Sequence, residues 1–234
     1  MQKVLGTVRK AVKEYRMIKE NDKIAVGVSG GKDSVVLLKA LGLLKGFYPE
    51  RFEVIAITVD PHFEGDEGDY GRIEALCKEL GIEYYVEKTE IWDIVFKTRG
   101  ESNPCSLCSR MRKGALYEAA IKLGCNKVAL GHHLDDAAVT FYMSLLKNGT
   151  IGCFSPVTRV EEKGIEVIRP LVLTRERDIV GVAKSLPVIK SRCSENGCTE
   201  RHDVAETLAA LQKQYGDVKE KTVGAMRRSK LCGW

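Results

Sequence analysis

Short apolar runs and longer amphipathic stretches take turns along this chain. Val4, Val8, Ala11, Val12, Tyr15 and Ile18 recur at helical spacing and predict a helix over residues 4–18, ended at Asn21-Asp22. Ile24, Ala25 and Val26 read as a buried strand, and Val35, Val36, Leu37, Leu38 and Leu41 as the helix after it. A second strand spans Phe52 to Val59 and stops at Asp60-Pro61; His62 to Gly68 is acidic and glycine-bearing, a surface loop. Ile73 to Leu80 predicts a helix closed by Gly81, and Ile82 to Val86 a third strand. A helical turn around Ile91 to Phe96 leads into a polar loop, Thr98 to Pro104. A helix opens at Cys105 and runs to Leu123, and Lys127 to Leu130 is the fourth strand. The helix from Ala137 to Leu146 is apolar nearly all round, which predicts burial. Val157–Val160 and Glu166–Ile168 suggest short strands about a turn at Gly164. A helix over about 174–185, a short strand at Pro187-Val188-Ile189, and helices over about 200–214 and 217–229 complete the chain.

Strands alternating with helices in this way imply an α/β fold, a doubly wound parallel sheet with right-handed crossovers. In such sheets ligands bind beyond the carboxyl ends of the strands. Three notable stretches fall there: Gly27-Val28-Ser29-Gly30-Gly31-Lys32-Asp33-Ser34, Thr58-Val59-Asp60, and Gly131-His132-His133-Leu134-Asp135-Asp136. In the first, adjacent glycines between strand and helix expose backbone N–H groups at the positive end of a helix dipole, a seat for phosphate. Lys32 adds a point charge, and Ser29 and Ser34 add hydroxyl donors. The usual triphosphate loop, Gly-x4-Gly-Lys-Ser/Thr, is absent, because Val26 precedes Gly31 by five positions and Asp33 follows Lys32. Asp33 is placed to stabilise the turn or to coordinate magnesium.

Composition narrows the class. The chain of 234 residues is 44% hydrophobic and 29% charged, ordinary for a globular protein with one core. Its apolar runs are broken by charge well before the roughly 18 residues of a membrane span, and the amino-terminal stretch is a charged amphipathic helix, so a cytoplasmic location is expected. The net charge of +5 permits a polyanionic partner without demanding one. The eight cysteines change the picture more, since close pairs in a reducing compartment suggest a metal or redox site.

Cys105-Ser106-Leu107-Cys108 opens a helix, a position that favours thiolates over thiols. Cys193 and Cys198 lie in a polar stretch farther on. Three readings compete, a four-thiolate zinc site, an iron–sulfur cluster on three of the cysteines, or a redox pair, and spacing alone favours zinc. Cys77 and Cys125 read as core or incidental, and Cys153 and Cys232 are unassigned.

The run Ser29 to Ser34 resembles the SGGKDS signature of the PP-loop ATP pyrophosphatases, which split ATP into AMP and pyrophosphate. Four stretches together resemble the tRNA 2-thiocytidine synthetase family: Asp22 through the phosphate loop; Cys105 to Cys108 followed by Arg110-Met111-Arg112-Lys113-Gly114; Gly131 to Asp136; and Ile168-Arg169-Pro170-Leu171. The likeness runs from about residue 4 to about 205. It implies a single PP-loop domain over 1–234, with the amino-terminal helix (1–22) and a helical extension (about 190–234) as appendages. It implies a 4Fe–4S cluster on Cys105, Cys108 and Cys193, with Cys198 lacking a counterpart. It implies ATP and Mg²⁺ as cofactors, ATP being held by residues 27–34, Thr58, Val59 and Gly131. Asp136, then Asp135, become candidates for metal or proton handling, and Arg112 the cation beside cluster and RNA. The expected substrate is tRNA cytidine 32, with sulfur from a cysteine desulfurase or free sulfide and a homodimer as the assembly. A 2-thiouridine enzyme of the same superfamily and a PP-loop protein with a structural zinc are the alternatives.

Overall fold

The computed structural model describes residues 1–63, 68–98, 104–189, 193 and 200–234. Six strands form one sheet: β1 (Asp22–Gly27), β2 (Phe52–Asp60), β3 (Glu83–Lys88), β4 (Lys127–Ala129), β5 (Val157–Val160) and β6 (Ile165–Ile168), in the order β3-β2-β1-β4-β6-β5. All neighbours are parallel except the β5–β6 pair, which is antiparallel and turns at Gly164, so the doubly wound expectation holds with an antiparallel edge. Ile24, Ala25 and Val26 of β1 are fully buried because the central strand is covered on both faces.

Helices α1 (Gln2–Glu14), α2 (Lys32–Leu44), α3 (Gly71–Leu80), α4 (Pro104–Lys122), α5 (Leu134–Asn148), α6 (Glu176–Ala183), α7 (Glu200–Tyr215) and α8 (Val218–Arg228) surround it. The first helix ends four residues before Ile18, because Arg16 turns to φ 49° and takes the chain out of the helical path. Residues 93–98 form a single π-helical turn. The expectation of a buried α5 holds only for its first turns: Leu134, Ala137, Ala138 and Val139 are buried, while Leu145 and Leu146 are 40% and 57% exposed. Apolar side chains all round a helix do not require neighbours all round it. Pro187–Ile189 is not a strand. Among the described residues its backbone bond into the site is Ile189 N–H to the Gly30 carbonyl at 2.9 Å, so a three-residue apolar run here docks on a loop rather than on a sheet edge.

At the amino end of the sheet, Lys127 is buried and ion-paired with Glu166 and with Asp22, the latter at 3.5 Å. Asn126 joins in, donating to Asp22 at 2.7 Å. These contacts lock β1, β4 and β6 together from below. Because β2 lies on one side of β1 and β4 on the other, the loops that leave β1 and β4 diverge and open a crevice above.

Candidate active site

That crevice holds a cavity of about 330 Å³. Gly27, Val28, Ser29, Gly31, Asp33 and Ser34 line it from the loop after β1, Val59 from β2, Arg112 and Lys113 from α4, and Gly131, His132 and Asp136 from the turn after β4. Gly30, Lys32, Thr58 and Asp135 stand outside this lining.

The loop is braced by its own hydroxyls. Ser34 Oγ accepts from the Ser29 N–H at 3.2 Å and donates to the Gly31 carbonyl at 2.9 Å. Gly30 takes φ +81°, and a side chain there would also run into Ile189, whose Cβ lies 3.0 Å from the place of an added Cβ. Helix α2 starts at Lys32 without a side-chain cap, which leaves its first N–H groups for an anion. Lys32 ion-pairs with Asp33 and with Glu176, each at 3.1 Å. Burial opposes its charge, but these carboxylates outweigh that and hold its pKa above the ordinary value. Asp33 Oδ1 is buried with no hydrogen-bond partner, an oxygen suited to a divalent cation that also holds phosphate.

Thr58 is a correction. Strand alternation turns Val59 toward the cavity and Thr58 away, where its hydroxyl donates to the Val28 carbonyl and accepts from Tyr84 OH, both at 2.8 Å. It supports the loop from behind, and its side chain lies outside the cavity lining. Asp135 is a second correction. Its carboxylate accepts from Lys219 at 2.8 Å and from the Glu176 N–H at 2.7 Å, tying α5 to α6 and α8 instead of entering the site.

Asp136 does enter it. The Asp136 carboxylate accepts from the His133 N–H at 2.9 Å and from Arg201 at 2.7 Å, and the His133 ring accepts the Asp136 N–H at 3.4 Å, a reciprocal cap on α5. Burial opposes ionisation, but His133 and Arg201 outweigh it and hold the pKa below the ordinary carboxylate range. The group is therefore a fixed negative charge, suited to orienting a cation and a poor proton acceptor at neutral pH. Arg201 was not legible in the sequence, since no local pattern links it to a residue 65 positions away. The spacing of His133 and Asp136, by contrast, is the signal of a helix cap.

His132 packs against Phe154, ring centroids 5.1 Å apart. Burial first, then Arg169, Lys113 and Arg201, push its pKa down to about 4 against the pull of Asp136. Between about pH 6.5 and 4 the unfolded chain takes a proton on this ring that the folded chain refuses, so stability is lost as the pH drops through that window. At pH 5 the loss from this group is about 2 kcal/mol. The variant His132→Gln is expected to shrink the difference in denaturant-unfolding free energy between pH 7 and pH 5 by about that amount; an unchanged difference would show that the ring is not held neutral.

The cysteines lie outside the cavity lining, behind Arg112, which lines it and reaches Cys108. Cys105 and Cys108 fall in the first turn of α4, three residues apart and so on one face, and Cys108 is buried. Its thiol is pushed up chiefly by burial, with Cys193 and Cys105 adding to the shift, while the charge and a hydrogen bond of Arg112 act the other way. Cys193 therefore lies close enough to Cys108 to act on its thiol. The helix start does not by itself make Cys108 a thiolate; burial wins. None of the three is in a disulfide. Among the described residues no three His, Cys, Asp or Glu side chains converge on one ion position, whereas a cluster spreads its thiolates over separate iron atoms. Three gathered thiols with a cation beside them fit such a group. Cys198, the fourth member of the zinc reading, lies outside the described residues.

Comparison with known proteins bears on this arrangement. The PP-loop domain family matches residues 3–188. The chain is 36% identical over 230 residues to the tRNA-cytidine(32) 2-sulfurtransferase of Geobacter sulfurreducens, covering 96% of this chain and 89% of the relative. It belongs to the PP-loop tRNA sulfurtransferase family. A second member, from Pelobacter propionicus, is 37% identical over 224 residues, covering 94% of this chain and 82% of that protein. Among solved structures, the U34-tRNA thiolase NcsA from Methanococcus maripaludis with its 4Fe–4S cluster superposes with a TM-score of 0.77 at 27% identity, covering 97% of this chain and 78% of that one. The NH3-dependent NAD synthetase of Campylobacter jejuni shares the fold at a TM-score of 0.51 and 19% identity, covering 94% and 86%. As a PP-loop tRNA sulfurtransferase the protein is an enzyme of tRNA thiolation. Among the described residues no helix is long and apolar enough to cross a membrane.

Proposed function

We propose that the protein replaces the C2 oxygen of a cytidine, position 32 of the tRNA anticodon loop, by sulfur at the expense of ATP. The observation that carries this reading is the position of α4: its first turn bears Cys105 and Cys108, and one turn on Arg112 and Lys113 line the cavity that the phosphate loop also lines. This supports a reading in which an adenylating pocket and a cysteine trio act side by side.

Oxide is too poor a leaving group to be displaced from a pyrimidine directly. The base oxygen attacks the α-phosphate of ATP, the α–β phosphoanhydride bond breaks, and pyrophosphate leaves into the N–H groups of the Ser29–Ser34 loop. Sulfur then bonds to C2, and the activated oxygen departs with AMP. Lys32 neutralises phosphate charge at the rim, Gly131 lets the nucleotide cavity close against the loop, and Val59 supplies an apolar wall. Asp33 Oδ1 is the oxygen available to a Mg²⁺ shared with the phosphates, and Asp136 sets the charge beside it. A 4Fe–4S cluster held by Cys105, Cys108 and Cys193 supplies, when bound, an iron free of protein ligands at which sulfide is carried. The base must be unpaired to present its edge, which suits an anticodon loop. The sulfur comes from a cysteine desulfurase or from free sulfide, and the enzyme works in the cytoplasm as a homodimer.

The test is anaerobic. Protein prepared without oxygen is expected to be brown with about four irons per chain. With ATP, sulfide and tRNA it is expected to form 2-thiocytidine, read by mass spectrometry of nucleosides. Formation of 2-thiouridine instead would favour the uridine alternative suggested by the NcsA likeness; one zinc and no iron would end the cluster reading.

A further inference from the structure

Beside the cavity three cations, Arg112, Lys113 and Arg169, act on one another, and none of them forms an ion pair among the described residues. Arg112 and Lys113 face in from α4. Arg169, just past β6, is only 9% exposed. Arg169 Nη1 donates to the Ser155 carbonyl at 2.7 Å and the Thr158 hydroxyl at 3.0 Å, both neutral, and its guanidinium carbon lies 5.1 Å from the Phe154 ring centroid. The Nε atoms of Arg112 and Arg169 are both buried with no hydrogen-bond partner. The other cations near the site differ: Lys32, Arg201 and Lys219 are each ion-paired. The crowding reaches Lys113, where burial first, then Arg169 and Arg112, lower the pKa.

Of the three, Arg169 is buried, Arg112 half-buried and Lys113 exposed at the cavity mouth. Positive charge held partly out of water without a counter-ion is costly, and an arriving anion relieves it. The phosphates of ATP belong to the opposite wall, where the helix start and Lys32 receive them. A thiolate at Cys108 is answered by Arg112, and the further anions that the reaction brings within reach of Lys113 are backbone phosphates of the RNA. A base turned out into the pocket carries its flanking phosphodiesters with it, and phosphate contacts fix register without reading sequence. We propose that Lys113, together with Arg112 and Arg169, seats one backbone phosphodiester beside the nucleotide under modification, a positioning role. This rests on the tRNA reading above and adds the place where the RNA chain is gripped.

The experiment measures binding of tRNA to the anaerobically prepared full chain over a series of salt concentrations, with ATP binding in parallel, for the unaltered protein, Lys113→Gln and Lys113→Arg. Lys113→Gln is expected to weaken tRNA binding about tenfold and to reduce the slope of log K against log salt by about 1, while ATP affinity stays within about twofold. Lys113→Arg is expected to restore the slope. Unchanged tRNA affinity and slope in Lys113→Gln would overturn the seat and leave the tRNA reading standing. Loss of ATP affinity in that variant, alone or with tRNA binding, would also overturn it, since a seat confined to RNA spares the nucleotide. An unaltered protein that binds no tRNA would sink both.

Discussion

Cys105→Ala is expected to reduce tRNA thiolation by at least about 10³-fold, a barrier increase of about 4 kcal/mol, while ATP affinity stays within about twofold. Cys105 is half-buried in the first turn of α4, and alanine is a better helix former, so the substitution removes a thiol without unsettling the helix. The loop over residues 29–34 is braced by Ser34, Ile189 and β2, none of which touches Cys105 in the hydrogen-bond pattern. Nucleotide binding should therefore be indifferent to the change. Iron content falls with activity, and isothermal titration with a non-hydrolysable ATP analogue provides the second reading. Equal loss of thiolation and ATP binding would mean that the cysteines hold a structural metal on which the whole site depends.

Gly131→Val is expected to lower kcat/KM for ATP by about 10²-fold, with tRNA binding little changed. The reason is contact with backbone. A Cβ at position 131 would lie 3.1 Å from the Asp33 carbonyl carbon and 3.2 Å from the Ser34 nitrogen. Those atoms belong to the first turn of α2, which cannot swing aside as a side-chain tip can, and valine's branches add to the pressure. The shift falls on the N–H groups that receive pyrophosphate and on the carboxylate of Asp33. An ATP dependence like that of the unaltered enzyme would show that the turn after β4 and the phosphate loop are not in register during the reaction.

The strand–loop–helix unit at residues 22–44 was legible because everything that makes it is local: an apolar strand, two glycines and an apolar helix. The paired short strands about Gly164 were legible for the same reason. Contacts between distant segments were not. Nothing near Asp135 in the chain announces that Lys219 will neutralise it, so a carboxylate next to a functional one looks equally functional. Thr58 was misplaced by a one-residue matter of strand phase, because a strand's carboxyl end offers alternate residues to the ligand and to the core. The apolar triplet at Pro187–Ile189 carries no sign of whether a strand or a loop receives it. Cys193 was grouped with Cys105 and Cys108 on the strength of a family likeness, because no local spacing ties it to a pair 85 positions earlier.

The bond at Ile189 sets a limit on distance. Ile189 donates to the carbonyl of Gly30, and four residues of chain span at most about 14 Å. Wherever the intervening backbone runs, the thiol of Cys193 therefore belongs to the neighbourhood of the glycine that shapes the phosphate cradle, and sulfur chemistry placed on it is chemistry within a short tether of the nucleotide's seat.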